Sequence, residues 1–580
     1  MLLHSTGFIT PTPHTLLLHR LRSSGQISRS MKPTEPNSAL LRLLLPSVRD
    51  IIFIFIFWSV LTGPLSNLPL ADPDIGWHIR TGEQILATHA LPRTDPFSST
   101  MQGQPWFAWE WLYDVALGIL HRAAGLNGIV FLCAALVATI FVILLSQLLK
   151  RGTSLFLAVV LMLLAEIAAR IHLYARPHIV SWLFSLLWFV ALDTWERWDV
   201  LHKKVPRWLP WFFPLSMVLW VNLHGGWLFG MALLGIYTVA AWVESVRERD
   251  PFAAIRIQHR FRAMVLLWLG SAAATFANPY GWRLHSHIYH YLGDKFLMDR
   301  IDEFRSPDFH DWAVRSFALI LMLTVLAFAG NRPAGVAGKL QLSHLLVALL
   351  AVYAGFYSSR NLPISAMLLV LIAGPLLSAN LASLGQRPSG WKWLRAGAAR
   401  ISSFSDRMAL QELELRGHLW AITMVAFGLV VCLHGGSIGS RVLIHAQFDP
   451  KKVPVKAVDF LQQHPGPQPV FSTDTWGGYL IYRLYPARQV VVDDRHDLYG
   501  SARVRRYLIL TQGEAGWRKV LDRVPDHVPD NDLRDRDEQE QAIRIVLLPA
   551  DSTLVSLLRE LPKDWQVSYE DSVAVVLERR

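Results

Sequence analysis

The sequence is poor in cysteine and poor in charge. Its two cysteines among 580 residues, Cys133 and Cys432, both lie inside apolar runs. That excludes a disulfide framework and a CxxC zinc site, so any exported part must fold without covalent staples. Charged residues make up 17% of the chain, fewer than a soluble protein of this length carries. No G-x-G-x-x-G or Walker loop is present, and the His-rich stretch lacks the HExxH signature of zinc proteases. The first acidic residue is Glu35. Residues 1–44 read as a disordered, basic cytoplasmic tail, with a transit peptide or a true start at Met31 as the other readings.

What fills the chain instead is apolar. Residues of hydrophobic type make up 52% of it, and 23 Trp add a heavy load of side chains that favour membrane interfaces. Runs long enough to span a bilayer fall near 45–70, 126–149, 154–174, 178–195, 208–223, 226–243, 261–278, 313–330, 340–357, 361–380 and 418–440, which predicts about eleven helices. The stretch 110–122 reads as an interfacial helix rather than a span. With the N-terminus in the cytoplasm, the basic loops at 150–151, 196–207, 244–262, 331–339 and 381–417 all fall inside, as the positive-inside rule requires. The net charge of +11 is then a topology signal, and nucleic acid is not needed to explain it. This threading predicts a multi-pass protein of the inner (plasma) membrane whose C-terminal region is extracytoplasmic.

From about 447 the pattern changes. Short strands ("PVFSTD", "QVVVDD", "IRIVLLPA", "WQVSYED", "SVAVVLER") alternate with helical stretches ("VPVKAVDFLQQH", "WGGYLIYRL", "STLVSLLREL"). The expectation is a small α/β domain over 447–580, following a transmembrane domain over 45–440 with an external loop at 71–125.

The same threading puts the unexplained polar clusters on one face, which points to a single external cleft. "ADPDIGWHIRTGEQIL" (71–86) leaves the first span with Asp72, Asp74, His78 and Arg80. Its bland reading is a turn in which Asp74 caps a helix. Its functional reading is a pair of carboxylates that divide acid–base work or share a divalent ion, Mg or Mn, with Arg80 meeting a phosphate. "GQPWFAWEWLYD" (103–114) is either an aromatic belt or a sugar platform, with Trp106 under a pyranose face and Glu110 holding hydroxyls. Glu166 and Arg170, at helical spacing inside a span, are a structural ion pair or a functional one. Arg176 and His178 end that region and can face an anionic headgroup. His287, His290 and Asp294 recur on an amphipathic stretch, where substrate hydrogen bonding is favoured over a metal. Asp302 and Glu303 form a second carboxylate pair, and Arg360 and Asn361 sit between two spans. In the tail, the Gly477–Gly478 pair is expected to permit a tight strand-to-helix turn. Asp493, Asp494, Arg495 and Asp497 follow a strand end and read equally as a salt-bridge cluster or a ligand site.

On "DPDIGWHIRTGE", "DPFSST…GQPWFAWEWL" and "WGGYL…VVVDDRHDLYG", and on its architecture from about 45 to 580, the chain resembles the GT-C superfamily. These are membrane glycosyltransferases that use polyprenyl-phosphate-linked sugars, and the bacterial dolichyl-phosphate-mannose-transferase-like group looks nearest. The resemblance implies an acid in the first external loop as the catalytic position, here Asp72 or Asp74. Asp72 is preferred as the base because it sits nearer the membrane. The implied partners are the bilayer, a polyprenyl-phosphate sugar, and a glycan, lipid or protein acceptor. A lipid-linked saccharide transporter and a non-catalytic envelope scaffold are the competing classes.

Overall fold

A computed structural model describes residues 44–330, 341–386, 418–522 and 542–580, with scattered positions between 396 and 415. Six of its helices are long and apolar enough to cross a membrane: Trp111–Lys150, Leu155–His172, His178–Val200, Trp227–Arg247, Trp312–Ala329 and Ser359–Ser383. Shorter apolar helices, Leu209–Leu223, Leu342–Tyr357 and Leu419–Leu433, alternate with them. The 14-residue helix Val48–Leu61 precedes them, and Pro251–Ala274, which carries arginines on its first turns, lies among them. Each expected apolar stretch thus carries a helix, and the chain is a multi-pass helical membrane protein. The expected tail (1–44) and the charged loop at 522–541 fall almost wholly outside the described residues.

The short connections make neighbouring helices run antiparallel, so the ends segregate. One end gathers residues 62–110, 170–178, 224–226, 275–311 and 358–361. The other, called the far end below, gathers 150–155, 200–209 and 247–251.

The stretch 110–122 falls in a helical segment that begins at Trp111 and is set off from the following span by non-helical backbone at Gly125 (φ 58°, ψ −149°), as expected of a helix distinct from that span. A residue of positive φ interrupts the helical geometry, and glycine adopts it without a Cβ clash. The amphipathic helix Ile75–Thr88 crosses the first turns of the Trp111 helix, and a Cβ on Gly82 would collide with the carbonyl oxygen of Asp114. The two backbones are therefore in contact at that crossing.

After the hairpin β1 (Ser437–Ile438) and β2 (Arg441–Val442) comes a four-stranded sheet of order β3-β4-β6-β5. Its strands are β3 (Val470–Ser472), β4 (Ile545–Pro549), β5 (Trp565–Glu570) and β6 (Ala574–Arg579). β3 and β4 are parallel and the remaining pairs antiparallel. Helices Val455–Gln463, Asp474–Leu484, His496–Gln512 and Thr553–Arg559 accompany it. "QVVVDD" does not form the expected strand. Val490 makes only isolated bridges, to Val470 of β3 on one side and to Ser98 on the other. A turn in which Asp493 accepts the Arg495 amide (3.0 Å) then ends the ladder.

The glycine pair also differs from expectation. Gly477 and Gly478 lie inside the helix Asp474–Leu484 rather than at a turn. A Cβ on Gly477 would stand 2.5 Å from Asp493 Cα, and one on Gly478 would stand 2.5 Å from the Pro73 carbonyl oxygen. The pair holds two aspartate-bearing turns, 72–74 and 493–495, against adjacent faces of one helix. Only residues without a side chain allow that approach.

Candidate functional site

A cavity of about 300 Å³ opens at the end where those turns meet. The construction starts at the Asp-Pro-Asp turn. Asp74 precedes the helix Ile75–Thr88 but its side chain caps nothing. Instead Arg176 Nη1 stands 2.6 Å from Asp72 Oδ2, 3.0 Å from Asp74 Oδ2 and 3.0 Å from Glu303 Oε1. One guanidinium nitrogen collects three carboxylates. The other oxygen of Asp72 accepts the Asp74 amide at 3.1 Å. Burial pushes the Asp72 carboxyl up against the pull of Arg176. Glu303 is half-buried, and Arg176 and Arg360 together hold it well below the usual carboxylate range.

Arg360 lies on the single turn between the helices Leu342–Tyr357 and Leu362–Gln386. Its Nη1 is 3.6 Å from Glu303 Oε2, and its Nη2 donates to His224 Nε2 at 2.9 Å. His224 closes the Leu209–Leu223 helix, with Nδ1 2.7 Å from Ser181 Oγ. Burial, then Arg360, keeps this imidazole neutral, far below its ordinary value.

Glu110 precedes the Trp111 helix and faces the cavity. Its oxygens lie 3.6 Å from His224 Nε2 and 3.8 Å from His78 Nε2, and neither makes a hydrogen bond among the described residues. Burial lifts its carboxyl to about 7 against the opposing arginines. His78 is fully buried, and its Nδ1 shares a hydrogen bond of 2.6 Å with Asp114 Oδ1. Burial, then Arg176, keeps it neutral.

Aromatic rings gather at the cavity as well. Trp77 and Trp106 meet edge to face at 6.1 Å, and Phe107 stacks on His287 at 4.6 Å. Trp109 joins them. The C-terminal region closes it. Arg495 gives its donors to Asp493 (2.8 and 2.7 Å) and Asp95 (2.8 Å) and lies over the Trp106 ring at 4.8 Å. Asp494 and Asp497 line the cavity. Asp494 Oδ1 is buried without a partner, and burial together with Asp72 lifts that carboxyl to about 8. Asp497 instead takes His287 Nε2 at 2.9 Å.

The sequence-derived residues therefore separate into groups. Trp106, Glu110, Arg176, His178, Arg360 and Asn361 line the cavity. Asp72, Asp74 and Glu303 stand behind Arg176, His78 behind Glu110, and His287 behind Phe107. Three expected substrate ligands are corrected. Arg80 turns to the Tyr482 carbonyl (2.9 Å from Nε) and Glu83 (2.8 Å), because the packed helix Asp474–Leu484 offers it an acceptor. His290 bonds back to the Ser286 carbonyl at 2.7 Å on the exposed side of its helix. The Asp302 side chain is 92% exposed and pairs with Arg305 at 3.2 Å.

Asp72 and Asp74 do not fit a divalent ion as arranged, since a guanidinium occupies the point where their oxygens converge. No group of three or more His, Cys, Asp or Glu suited to a metal occurs among the described residues. Glu166 and Arg170 form a bidentate pair (2.9 and 2.7 Å), with Arg170 over Trp312, which ties two helices together and leaves the cavity wall to others. Sequence reasoning missed Asp114 and His224 as site members. The only signal for His224 was its place in "NLHGG", between two spans.

No family model matches the sequence, and no curated protein matches it. Among solved structures the chain is similar to the crystal structure of ArnT from Cupriavidus metallidurans bound to undecaprenyl phosphate. The likeness covers 94% of this chain and 98% of that one, at 12% identity and a TM-score of 0.45.

Proposed function

We propose that the protein is a membrane glycosyltransferase. It moves a sugar from a polyprenyl-phosphate donor to a glycan, lipid or protein acceptor, on the extracytoplasmic side that the basic loops leave free. One observation carries this reading: a cavity at one end of an apolar helix bundle, lined by aromatic rings, two half-buried guanidiniums and a carboxyl without a hydrogen bond among the described residues.

Each part matches a need of the reaction. A pyranose ring rests on Trp106 and Trp109, whose faces exclude water. The donor's phosphate, fixed at headgroup height by its lipid, meets Arg176 and Arg360. As the bond to the anomeric carbon breaks, charge grows on that phosphate, and preorganised guanidiniums stabilise it where water cannot compete. Asp72, Asp74 and Glu303 orient Arg176 and keep the empty cavity near neutrality. A carboxylate of segment 71–125 removes the acceptor's proton. Transport has no observation in its favour, because the cavity wall is drawn from one end of the bundle.

The test uses the full chain in vesicles with a panel of radiolabelled undecaprenyl-phosphate monosaccharides. Membranes from a strain lacking the protein serve as the acceptor source. Label should enter a non-donor product with wild type and vanish with Arg176→Gln combined with Arg360→Gln. Absence of wild-type transfer from every donor in the panel would overturn the reading.

A further inference from the structure

We propose that Glu110 takes the proton from the acceptor hydroxyl, and that His78, held by Asp114, positions Glu110 for it. This assignment rests on the transferase reading and replaces Asp72 as the proton acceptor. The case is geometric. Asp72 has both oxygens engaged, by Arg176 and by the Asp74 amide, and does not line the cavity. Glu110 lines it, as do the rings of Trp106 and Trp109, and both Glu110 oxygens are free of hydrogen bonds among the described residues. Behind Glu110, His78 Nε2 is buried without a hydrogen-bond partner among the described residues and stands 3.8 Å from Glu110 Oε2. Its other nitrogen is committed to Asp114. In the tautomer proposed here Nδ1–H goes to Asp114, which leaves the lone pair on Nε2 to accept a hydrogen bond from Glu110 once that carboxyl is protonated.

The step balances. The acceptor O–H gives its proton to Glu110, and its oxygen lone pair forms the new C–O bond at the anomeric carbon. The C–O bond to phosphate breaks, and its electron pair leaves with the lipid phosphate. The proton rests as Glu110 Oε2–H against His78 Nε2. The groups facing Glu110 are known from every side: His78 on the helix Ile75–Thr88, Asp114 on the Trp111 helix, His224 ahead of the Trp227 helix, and Arg360 and Arg176 across the cavity, with Asp497 and Glu303 further off. Burial dominates this balance and sets the carboxyl at about 7, the range a base needs near neutral pH.

Two measurements on the full chain test it. Infrared titration in detergent, without substrate, should show a protonated-carboxyl band that disappears as pH rises through about 7 and is absent in Glu110→Gln. His78→Gln should move that midpoint down by about half a unit or more, because a hydrogen bond to the neutral form is lost. Arg360→Gln should move it up, because an attracting cation is lost. With the labelled undecaprenyl-phosphate sugars, Glu110→Gln should cut the transfer rate by about 100-fold or more. In His78→Gln the acidic limb of the pH–rate profile should follow the infrared midpoint. Wild-type transfer that Glu110→Gln leaves within about threefold overturns the inference and leaves the transferase reading standing. An unmoved limb in His78→Gln removes His78 from the positioning role. Failure of wild type with every donor overturns the transferase reading itself, whatever the infrared band does. If Glu110→Gln does not fold, Glu110→Asp, which retracts the carboxyl from His78, carries the same test through the wild-type and variant midpoints.

Discussion

Two charge clusters sit at opposite ends of the same helices, and their carboxylates are bonded differently. At the far end, Asp193 has both oxygens filled: His344 at 2.6 Å on one, and Arg151 at 2.7 Å together with Arg197 on the other. Next to it Ser343 donates to Glu196 at 2.5 Å, and Arg260 joins Asp199 (3.2 Å) and Glu244. Around the cavity, by contrast, Glu110 accepts no side-chain hydrogen bond among the described residues, and Asp494 Oδ1 is buried without one. Unpartnered nitrogens occur at both ends, Arg151 Nε at the far end and His78 Nε2 at the cavity. A carboxylate filled by donors tightens helix packing. One left without them costs stability and is kept where a ligand completes it. Breaking either end should therefore produce a different loss.

The largest effect is expected at the far end. Asp193→Asn leaves Arg151 and Arg197 without their shared carboxylate in a buried position, and removing one partner of such a group costs about 3–5 kcal/mol. The folded fraction should keep its transfer rate. Thermal unfolding in detergent measures the first and vesicle transfer the second. Lost transfer in correctly folded Asp193→Asn would erase the distinction between the two ends.

Glu110→Gln should do the reverse. The carboxyl is raised from 4.5 to about 7 in the folded protein, so the folded state holds the proton more tightly than the unfolded one across that window. Wild-type stability should fall as pH rises from 4.5 to 7, with no penalty below it and the full penalty above. The shift corresponds to about 3 kcal/mol at neutral pH and above. The Gln variant should lack this slope and be the more stable protein at pH 8, though poor in transfer. A slope unchanged in the variant would show that Glu110 is not strained by its burial.

Gly478→Ala should lie between the two ends in kind and below them in size. The added methyl meets the Pro73 carbonyl and the Asp74 Cα (2.5 and 2.7 Å), and overpacking of this sort costs about 1–3 kcal/mol. It also pushes on the turn that carries Asp72 and Asp74, so transfer should fall together with melting temperature. Stability lost with transfer intact would mean that the turn need not be held so tightly.

How much of this could be read from the sequence follows from the range of each signal. Helix positions were legible because apolar length is a local property, and so was the gathering of polar segments at one end, because alternation follows from counting helices. Partners were not. Arg176 could be seen as a headgroup candidate, but nothing local says that it meets Asp72, 104 positions away, together with Glu303. The glycine pair was visible, but close approach of two other turns leaves no mark beyond the missing side chains. Arg80, on a helix that looked wholly site-facing, is claimed by a carbonyl 402 positions later. Facing is set by long-range packing, and periodicity gives only the choice of faces.

The smallest effects sharpen the same point. His290 and Asp302 carry the residue types of a binding site, yet one bonds to its own helix and the other is exposed to solvent. His290→Ala and Asp302→Asn should leave stability within about 0.5 kcal/mol, as surface changes do. Transfer should stay within about twofold of wild type, since neither change removes a group from the cavity wall. Parallel vesicle assays at saturating and limiting donor check both. A tenfold loss confined to limiting donor in Asp302→Asn would mean that the 299–311 segment swings over the cavity when donor binds. The boundary between cavity and surface would then have to be redrawn for the loaded protein.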